Sequence, residues 1–132
     1  MPASNPPVIP YFLRQAVRSG TLVVHGDGQQ TRDYVYVDDV VNAMTAAATA
    51  PDVDCLVINV GSGKETSVRE LVRLVMECTG GAPEVVNNPR VEGGVSRSCA
   101  DITLAAQKLG YAPHTSLEDG LRRMVEREAR AR

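Results

Sequence analysis

No stretch of this sequence approaches the ~20 consecutive apolar residues of a membrane-spanning helix. An excess of charge of either sign is also lacking. Fourteen Lys and Arg stand against 16 Asp and Glu, for a net charge of −2. Bulk electrostatics therefore gives no reason to expect a nucleic-acid or membrane-surface partner. The residues after Met1, PASNPPVIP, lack the basic start and apolar centre of a secretory leader. Cysteine occurs three times, at Cys55, Cys78 and Cys99, with no CxxC and no metal-ligand spacing. An odd number of scattered cysteines fits reduced thiols in a cytoplasmic protein, and their expected role is that of small buried apolar residues.

Several catalytic signatures are missing as well. GSGKET, Gly61 to Thr66, has the look of a phosphate loop, but Ile58 stands where its first glycine belongs and Glu65 where its hydroxyl belongs. It offers neither the full backbone cradle nor a ligand for magnesium. A glycine turn between a strand and a helix is the better reading. The dinucleotide fingerprint GxGxxG is absent too, because no third glycine follows Gly61 and Gly63 at the required spacing. No serine has nucleophile-elbow glycines around it. The residues four positions after the tyrosines are Gln15, Asp38, Val40 and Thr115, so no tyrosine is activated by a lysine one helical turn on. His25 and His114 are far apart and have no cysteine or acidic cluster beside them. They read as ordinary surface or pocket histidines.

What remains is a chain of 132 residues, 43% hydrophobic and 23% charged, ordinary for one soluble domain spanning residues 1–132. Ile9, Phe12, Leu13, Ala16 and Val17 recur at helical spacing and stop at Gly20. TLVVH and DYVYV read as strands, and the second passes into a helix at Asp38 or Asp39 that ends before Pro51. CLVINV, Cys55 to Val60, is almost continuously apolar, as a strand covered on both faces would be. Ser67 and Glu70 form a capping box for a helix that stops at Gly80-Gly81. EVVN and SRSCAD are further strands. Asp101 caps a short helix ending at Gly110, and Thr115 with Glu118 can cap a last one. Strands and helices in alternation predict an α/β fold.

Gly26 to Val40, GDGQQTRDYVYVDDV, holds the residue that a core does not need. Arg32 follows a glycine turn and opens a strand, so its planar fork can point off the sheet end toward a phosphate. A salt bridge to Asp27, Asp33 or Asp38 explains it equally well. Asp38-Asp39 is read as a helix-start pair favoured by the helix dipole rather than as an acid/base pair.

Three stretches in order, VIPYFLRQAVRSGTLVVHGDGQQTRDYVYVDDVVNAM, INVGSGKETSVRELV and ADITLAAQKLGYAPHTSLEDGLRRMV, together resemble the C-terminal half of extended short-chain dehydrogenases. These are the NAD-dependent nucleotide-sugar epimerases and dehydratases, with UDP-glucose 4-epimerase as the type. The resemblance runs from Val8 to Val125. It implies the substrate-binding portion of such an enzyme, a small sheet with packed helices and no N-terminal Rossmann half. It also implies that Arg32 grips the diphosphate of a UDP-sugar. Val23 and His25 would border the nucleobase, and Val8 and Ile9 would lie over the nucleotide. In the stretch Pro89 to Asp101 the family usually carries an arginine and, three residues on, a ribose-holding aspartate. Val91 and Gly94 stand there in this sequence. Arg90 takes the arginine's part if the loop shifts by one residue, and Glu92 would have to swing in as the carboxylate.

The resemblance further implies that the NAD fingerprint, the Tyr-x-x-x-Lys pair and the catalytic serine or threonine belong to a half that this chain lacks. No tight NAD binding is expected of the chain alone. Weak affinity for a UDP-sugar is expected, and so is a partner: either a complementary Rossmann chain that completes a split epimerase or a second copy meeting it at Leu56, Val57 and Ile58; the alternative is a non-catalytic remnant used as an assembly or regulatory module.

Overall fold

The computed structural model describes residues 7–18, 20–89 and 96–130. Five helices and four short strands alternate along them: α1 Val8–Val17, β1 Thr21–His25, β2 Thr31–Arg32, α2 Val37–Thr49, β3 Thr66–Ser67, α3 Val68–Thr79, β4 Glu84–Asn88, α4 Thr103–Leu109 and α5 Leu117–Arg130. The expected α/β class is what the chain adopts. The strands form two separate pairs. β1 runs parallel to β4, from Thr21 opposite Glu84 to His25 opposite Asn88. β2 and β3 make a two-residue antiparallel contact that sets Arg32 opposite Thr66.

The main core is built by helices with one apolar stripe. α3 contributes Val68, Leu71, Val72, Leu74 and Val75, and α1 contributes Phe12, Leu13 and Ala16. Leu22 and Val24 of β1 and Leu121 of α5 complete it. Alternation along β1 is clean, with Leu22 and Val24 buried and the residues between them more exposed. Ser67 caps α3 as expected, its Oγ accepting from the Glu70 amide at 3.1 Å. The helix ends at Gly80 with φ +64°, where a left-handed residue closes the last turn. A smaller cluster joins Ala43 of α2, Ala105 of α4 and Tyr111, with Ile58 and Val60 packed against them.

Several local expectations need correction. DYVYV is not a strand: pairing ends at Arg32, and Tyr36 already accepts the first helical bonds, from the amides of Asp39 and Val40. The Asp33 side chain, rather than the backbone of 33–36, makes the cross-chain hydrogen bonds there. CLVINV pairs with no strand among the described residues, and Leu56 and Val57 are 44% and 90% exposed. Ile58 and Val60 are covered by the Ala43 cluster, but Leu56 and Val57 are not covered by the described residues. SRSCAD forms no strand either, though the Ser96 carbonyl accepts from the Thr31 amide at 2.9 Å.

Asp101 stabilises the entry to α4 by accepting from Thr103 N, one residue outside the position expected of a cap. The last capping pair is displaced by one residue, from Thr115 and Glu118 to Ser116 and Asp119. The Ser116 Oγ accepts from the Asp119 amide at 3.1 Å and donates to the Asp119 carboxylate at 2.8 Å. Cys55 and Cys99 are exposed, against expectation, whereas Cys78 is half-buried and packs against the main core.

Candidate functional site

Arg32 sits at the junction between a glycine turn and the foot of α3. The turn needs its glycines: Gly26 and Gly28 have φ of +67° and +74°, a region that side chains disfavour. Asp27 Oδ1 accepts from the Gln29 amide at 2.9 Å, and the Gln30 side chain donates to the His25 carbonyl at 2.9 Å. The amides of Val68 and Arg69 bond to the carbonyls of Gln30 and Gly28. β1, the turn and α3 are thus tied into one unit that holds β2. The Arg32 side chain is half-buried, and its Nη1 donates to the Thr31 carbonyl at 2.6 Å.

The carboxylates offered as salt-bridge partners for Arg32 have other engagements. Asp27 braces its own turn. Asp38 lies 3.7 Å from Arg123. Asp33 accepts four hydrogen bonds: from the Ser62 amide at 2.8 Å, the Ser62 hydroxyl at 2.5 Å, the Gly63 amide at 3.0 Å and the Ala100 amide at 3.1 Å. Burial pushes the Asp33 carboxyl up, but the Ser62 hydroxyl and the amides of Ser62, Ala100 and Gly63 outweigh it and hold it below its ordinary value.

A carboxylate with a lowered folded pKa contributes stability that is present above its unfolded value near 3.8 and is lost as pH falls through the folded value. Asp33→Asn is therefore expected to be less stable than the parent at pH 7 and flatter across the acid range. Urea denaturation at a series of pH values checks this; parallel curves for the two proteins would refute it.

The same contacts decide what the Gly61–Gly63 turn can hold. Its amides at Ser62 and Gly63 point at Asp33, a group of the same charge as a phosphate. A Cβ on Gly61 would come within 2.6 Å of both the Asp33 Oδ2 and the Ala100 Cβ. The glycine therefore makes room for protein, not for a ligand. This turn does not fit the pyrophosphate of a dinucleotide, and no step through NAD is derived from it.

Asp39 is the second carboxylate with a tertiary role. It is 2% exposed and accepts from the amides of His114 and Thr115, each at 3.0 Å. Its side chain anchors the loop ahead of α5 rather than capping its own helix, while Asp38 and Asp39 both lie in the first turn of α2, as the helix-start reading expects. Nearby, the buried Tyr111 hydroxyl donates to the Gly61 carbonyl at 2.6 Å. Burial, and then the negative charges of Asp39 and Asp33, push that phenol up.

Three buried polar atoms have no hydrogen-bond partner among the described residues: His25 Nδ1, Thr31 Oγ1 and Tyr34 Oη. All three come from the short stretch that carries Arg32. Burial raises the Tyr34 phenol while the Arg32 guanidinium lowers it, so the two side chains feel each other electrostatically. A buried polar group without a partner is costly in a finished core and ordinary in a site that receives a polar ligand. Tyr34 also borders two cavities. One, of about 450 Å³, is lined by Tyr34, Ser62, Lys64, Glu70, His114 and Ser116 among others. The other, of about 60 Å³, includes Ile9, Tyr34, Tyr36 and Gly120.

Of the residues singled out from sequence, Val8 and Ile9 form the first turn of α1 and pack against the main core, which includes Leu22 and Val24 of β1. Val23 and His25 lie on β1, opposite Val86 and Asn88. Arg32 follows on β2. Ile9 lines the smaller cavity; Val8, Val23, His25 and Arg32 line neither. Arg90 lies outside the described residues, as do Val91, Glu92 and Gly94. Sequence reasoning missed Tyr34 altogether, and it used Asp33 only as a rival partner for Arg32. The directly adjacent Arg32-Asp33-Tyr34 was the available signal.

Residues 5–124 match the family model for GDP-mannose 4,6 dehydratase. The chain is 38% identical over 119 residues to the UDP-glucose 4-epimerase of Mycolicibacterium smegmatis, covering 90% of this chain and 38% of that one. Its fold is similar to that of the UDP-glucose 4-epimerase of Thermotoga maritima solved with UDP-glucose. There the TM-score is 0.89 and the identity 39%, over 99% of this chain and 42% of that one. MoeE5, solved with UDP-glucuronic acid and NAD, gives a TM-score of 0.88 at 32% identity, over 96% of this chain and 41% of that one. The chain thus spans about two fifths of the length of these relatives.

Proposed function

Since the chain belongs to the GDP-mannose 4,6 dehydratase family of nucleotide-sugar epimerases and dehydratases, we propose that it is the substrate-binding portion of such an enzyme. In this reading it is one domain that holds the nucleotide end of a UDP-sugar. The observation that carries the reading is the half-buried Arg32 in a stretch, 25–34, that also holds three buried polar atoms, His25 Nδ1, Thr31 Oγ1 and Tyr34 Oη, which lack partners among the described residues. A diphosphate brings acceptors for the guanidinium, and a nucleotide brings the polar partners that buried donors and acceptors require. UDP is the favoured nucleotide because similar structures were solved with UDP-glucose and UDP-glucuronic acid. Val8, Ile9, Val23 and His25 are assigned to the base and ribose end, and Arg90 to the ribose.

Arg32 supplies the charge-assisted contact, worth roughly 1.5–3 kcal/mol for a hydrogen bond to a charged group. Arg32→Ala is expected to weaken UDP binding about tenfold or more. Calorimetry giving the two proteins equal affinity would remove Arg32 from the site.

NAD is the cofactor that MoeE5 was solved with. Its chemistry in the family is hydride exchange with the sugar. The chain here carries no Tyr-x-x-x-Lys and no GxGxxG, and the amides of its Gly61–Gly63 turn are engaged by Asp33. The chain by itself is therefore expected to give no epimerisation. An assay with NAD and UDP-glucose that shows turnover above a boiled control would contradict this.

A further inference from the structure

β1 and β4 run parallel, and residues in register leave such a pair on the same face. Leu22 and Val24 of β1 point into the main core, at 0% and 4% exposed. Val23 and His25 therefore point the other way, and so do their partners Val86 and Asn88. Neither Val23 nor Val86 belongs to a core cluster of the described residues, and Val86 is 40% exposed. Two valines side by side thus form an apolar floor.

His25 and Asn88 are the last pair in register, at the carboxyl ends of both strands. Ligands of parallel sheets collect at such ends. This end is fixed on both strands. The Gly26 amide donates to the Asn88 carbonyl at 2.9 Å, and the Gln30 side chain donates to the His25 carbonyl at 2.9 Å. His25 Nδ1 is buried with no hydrogen-bond partner among the described residues. A polar row therefore borders the apolar floor.

The dimensions of the floor select its occupant. Neighbouring strands lie about 4.8 Å apart, and alternate residues of one strand about 6.6 Å apart. Four side chains on that grid underlie one six-membered ring and leave the second ring of a purine without a floor. The valines suit the face of such a ring, and a carboxamide suits its edge. An amide carries both a donor and an acceptor, and the N3–H of uracil lies between two carbonyl oxygens. We propose that Asn88 reads the polar edge of a pyrimidine base lying on Val23 and Val86. Its carboxamide accepts from N3–H and donates to a neighbouring carbonyl, with His25 beside it at the same edge. The proposal rests on the nucleotide reading above and adds the residue that sets base preference.

The test is calorimetry of UDP, N3-methyl-UDP and ADP with the parent chain, Asn88→Ala, Asn88→Ser and Arg32→Ala. The parent is expected to bind UDP about tenfold tighter than N3-methyl-UDP, the loss of one bidentate pair, and tighter than ADP by a similar factor. In both Asn88 variants UDP is expected to fall to the affinity of the methylated ligand, so that the preference vanishes. Circular dichroism checks that each variant keeps the parent's fold, and the parent's own preferences need no variant. Variants that weaken both ligands equally and keep the preference would make Asn88 a structural residue and overturn the proposal. Equal parent affinities for UDP and N3-methyl-UDP, or for UDP and ADP, would overturn it too, while leaving the Arg32 contact standing. UDP binding that Arg32→Ala leaves unchanged, with the Asn88 effect intact, would reject the diphosphate contact and support the base edge. A parent that binds no UDP would overturn both.

Discussion

Asp39→Ala is expected to lower stability by about 3 kcal/mol, because it removes a buried carboxylate that satisfies two backbone amides. Asp39 is 2% exposed, and both of its oxygens are used, one on His114 N and one on Thr115 N. Hydrogen bonds to a charged group are worth roughly 1.5–3 kcal/mol each, and the orphaned donors add a penalty when water cannot reach them. His114 is exposed and Thr115 half-buried, so part of that penalty is relieved by solvent. The carboxylate also lies in the first turn of α2, where the helix dipole favours it. Asp39→Asn keeps one acceptor oxygen and is expected to lose about half as much. Urea unfolding of the three proteins at pH 7 measures this. A parent-like midpoint for Asp39→Ala would mean that the 113–115 loop does not depend on its anchor.

Leu71→Ala is expected to cost a similar amount, about 2–5 kcal/mol, for a different reason. Leu71 is 0% exposed and belongs to the cluster where α1, β1, α3 and α5 meet. Truncation removes apolar contact on several sides and leaves a cavity that helices pinned by Phe12, Val75 and Leu121 cannot fully close. Against an ordinary total stability of roughly 5–15 kcal/mol, that is a large fraction. Val57→Ala supplies the contrast. At 90% exposed it is expected to change stability by no more than about 0.5 kcal/mol. The same urea titration separates the two residues, and equal effects would show that exposure does not rank them.

Elements whose signal is local were legible before the structure. α1 and α3 announce themselves by apolar spacing, and Ser67 with Glu70 marks the start of α3 because a cap needs only residues three apart. Gly80 and Gly110, both in the left-handed region, close helices where the sequence places them. The last cap was misplaced by one residue because Thr115 and Ser116 carry equivalent hydroxyls, each with an acid three positions on. DYVYV and CLVINV misled for a common reason: β-branched composition reports the propensity to pair, but a strand exists only when a neighbour supplies the other half of the ladder.

The site divides in the same way. Arg32 was visible as an arginine that opens a strand after a glycine turn, with phosphate contact and a salt bridge as equal readings. The roles of Asp33 and Asp39 were not visible, since their partners lie 29 to 76 residues away along the chain. The Tyr34 hydroxyl, buried without a partner among the described residues, is a property of packing that no local pattern records.

The four hydrogen bonds on Asp33 have a consequence for how this protein can vary over generations. Ser62, Gly63 and Ala100 all spend their donors on one carboxylate, and Gly61 has no room for a side chain against it. A change at Asp33 removes all four bonds and a change at Ser62 removes only the one from its hydroxyl, so the second loss is contained in the first and their costs do not sum. Once Asp33 is lost, the Ser62 hydroxyl is released from this constraint, whereas losing that hydroxyl leaves Asp33 held by three backbone amides. A side chain at 61, excluded while Asp33 is in place, becomes admissible only after the carboxylate is gone and Ala100 has moved. Positions 33, 61, 62 and 100 are thus tied into a single unit of inheritance, and the order in which substitutions arrive decides which of them the lineage survives.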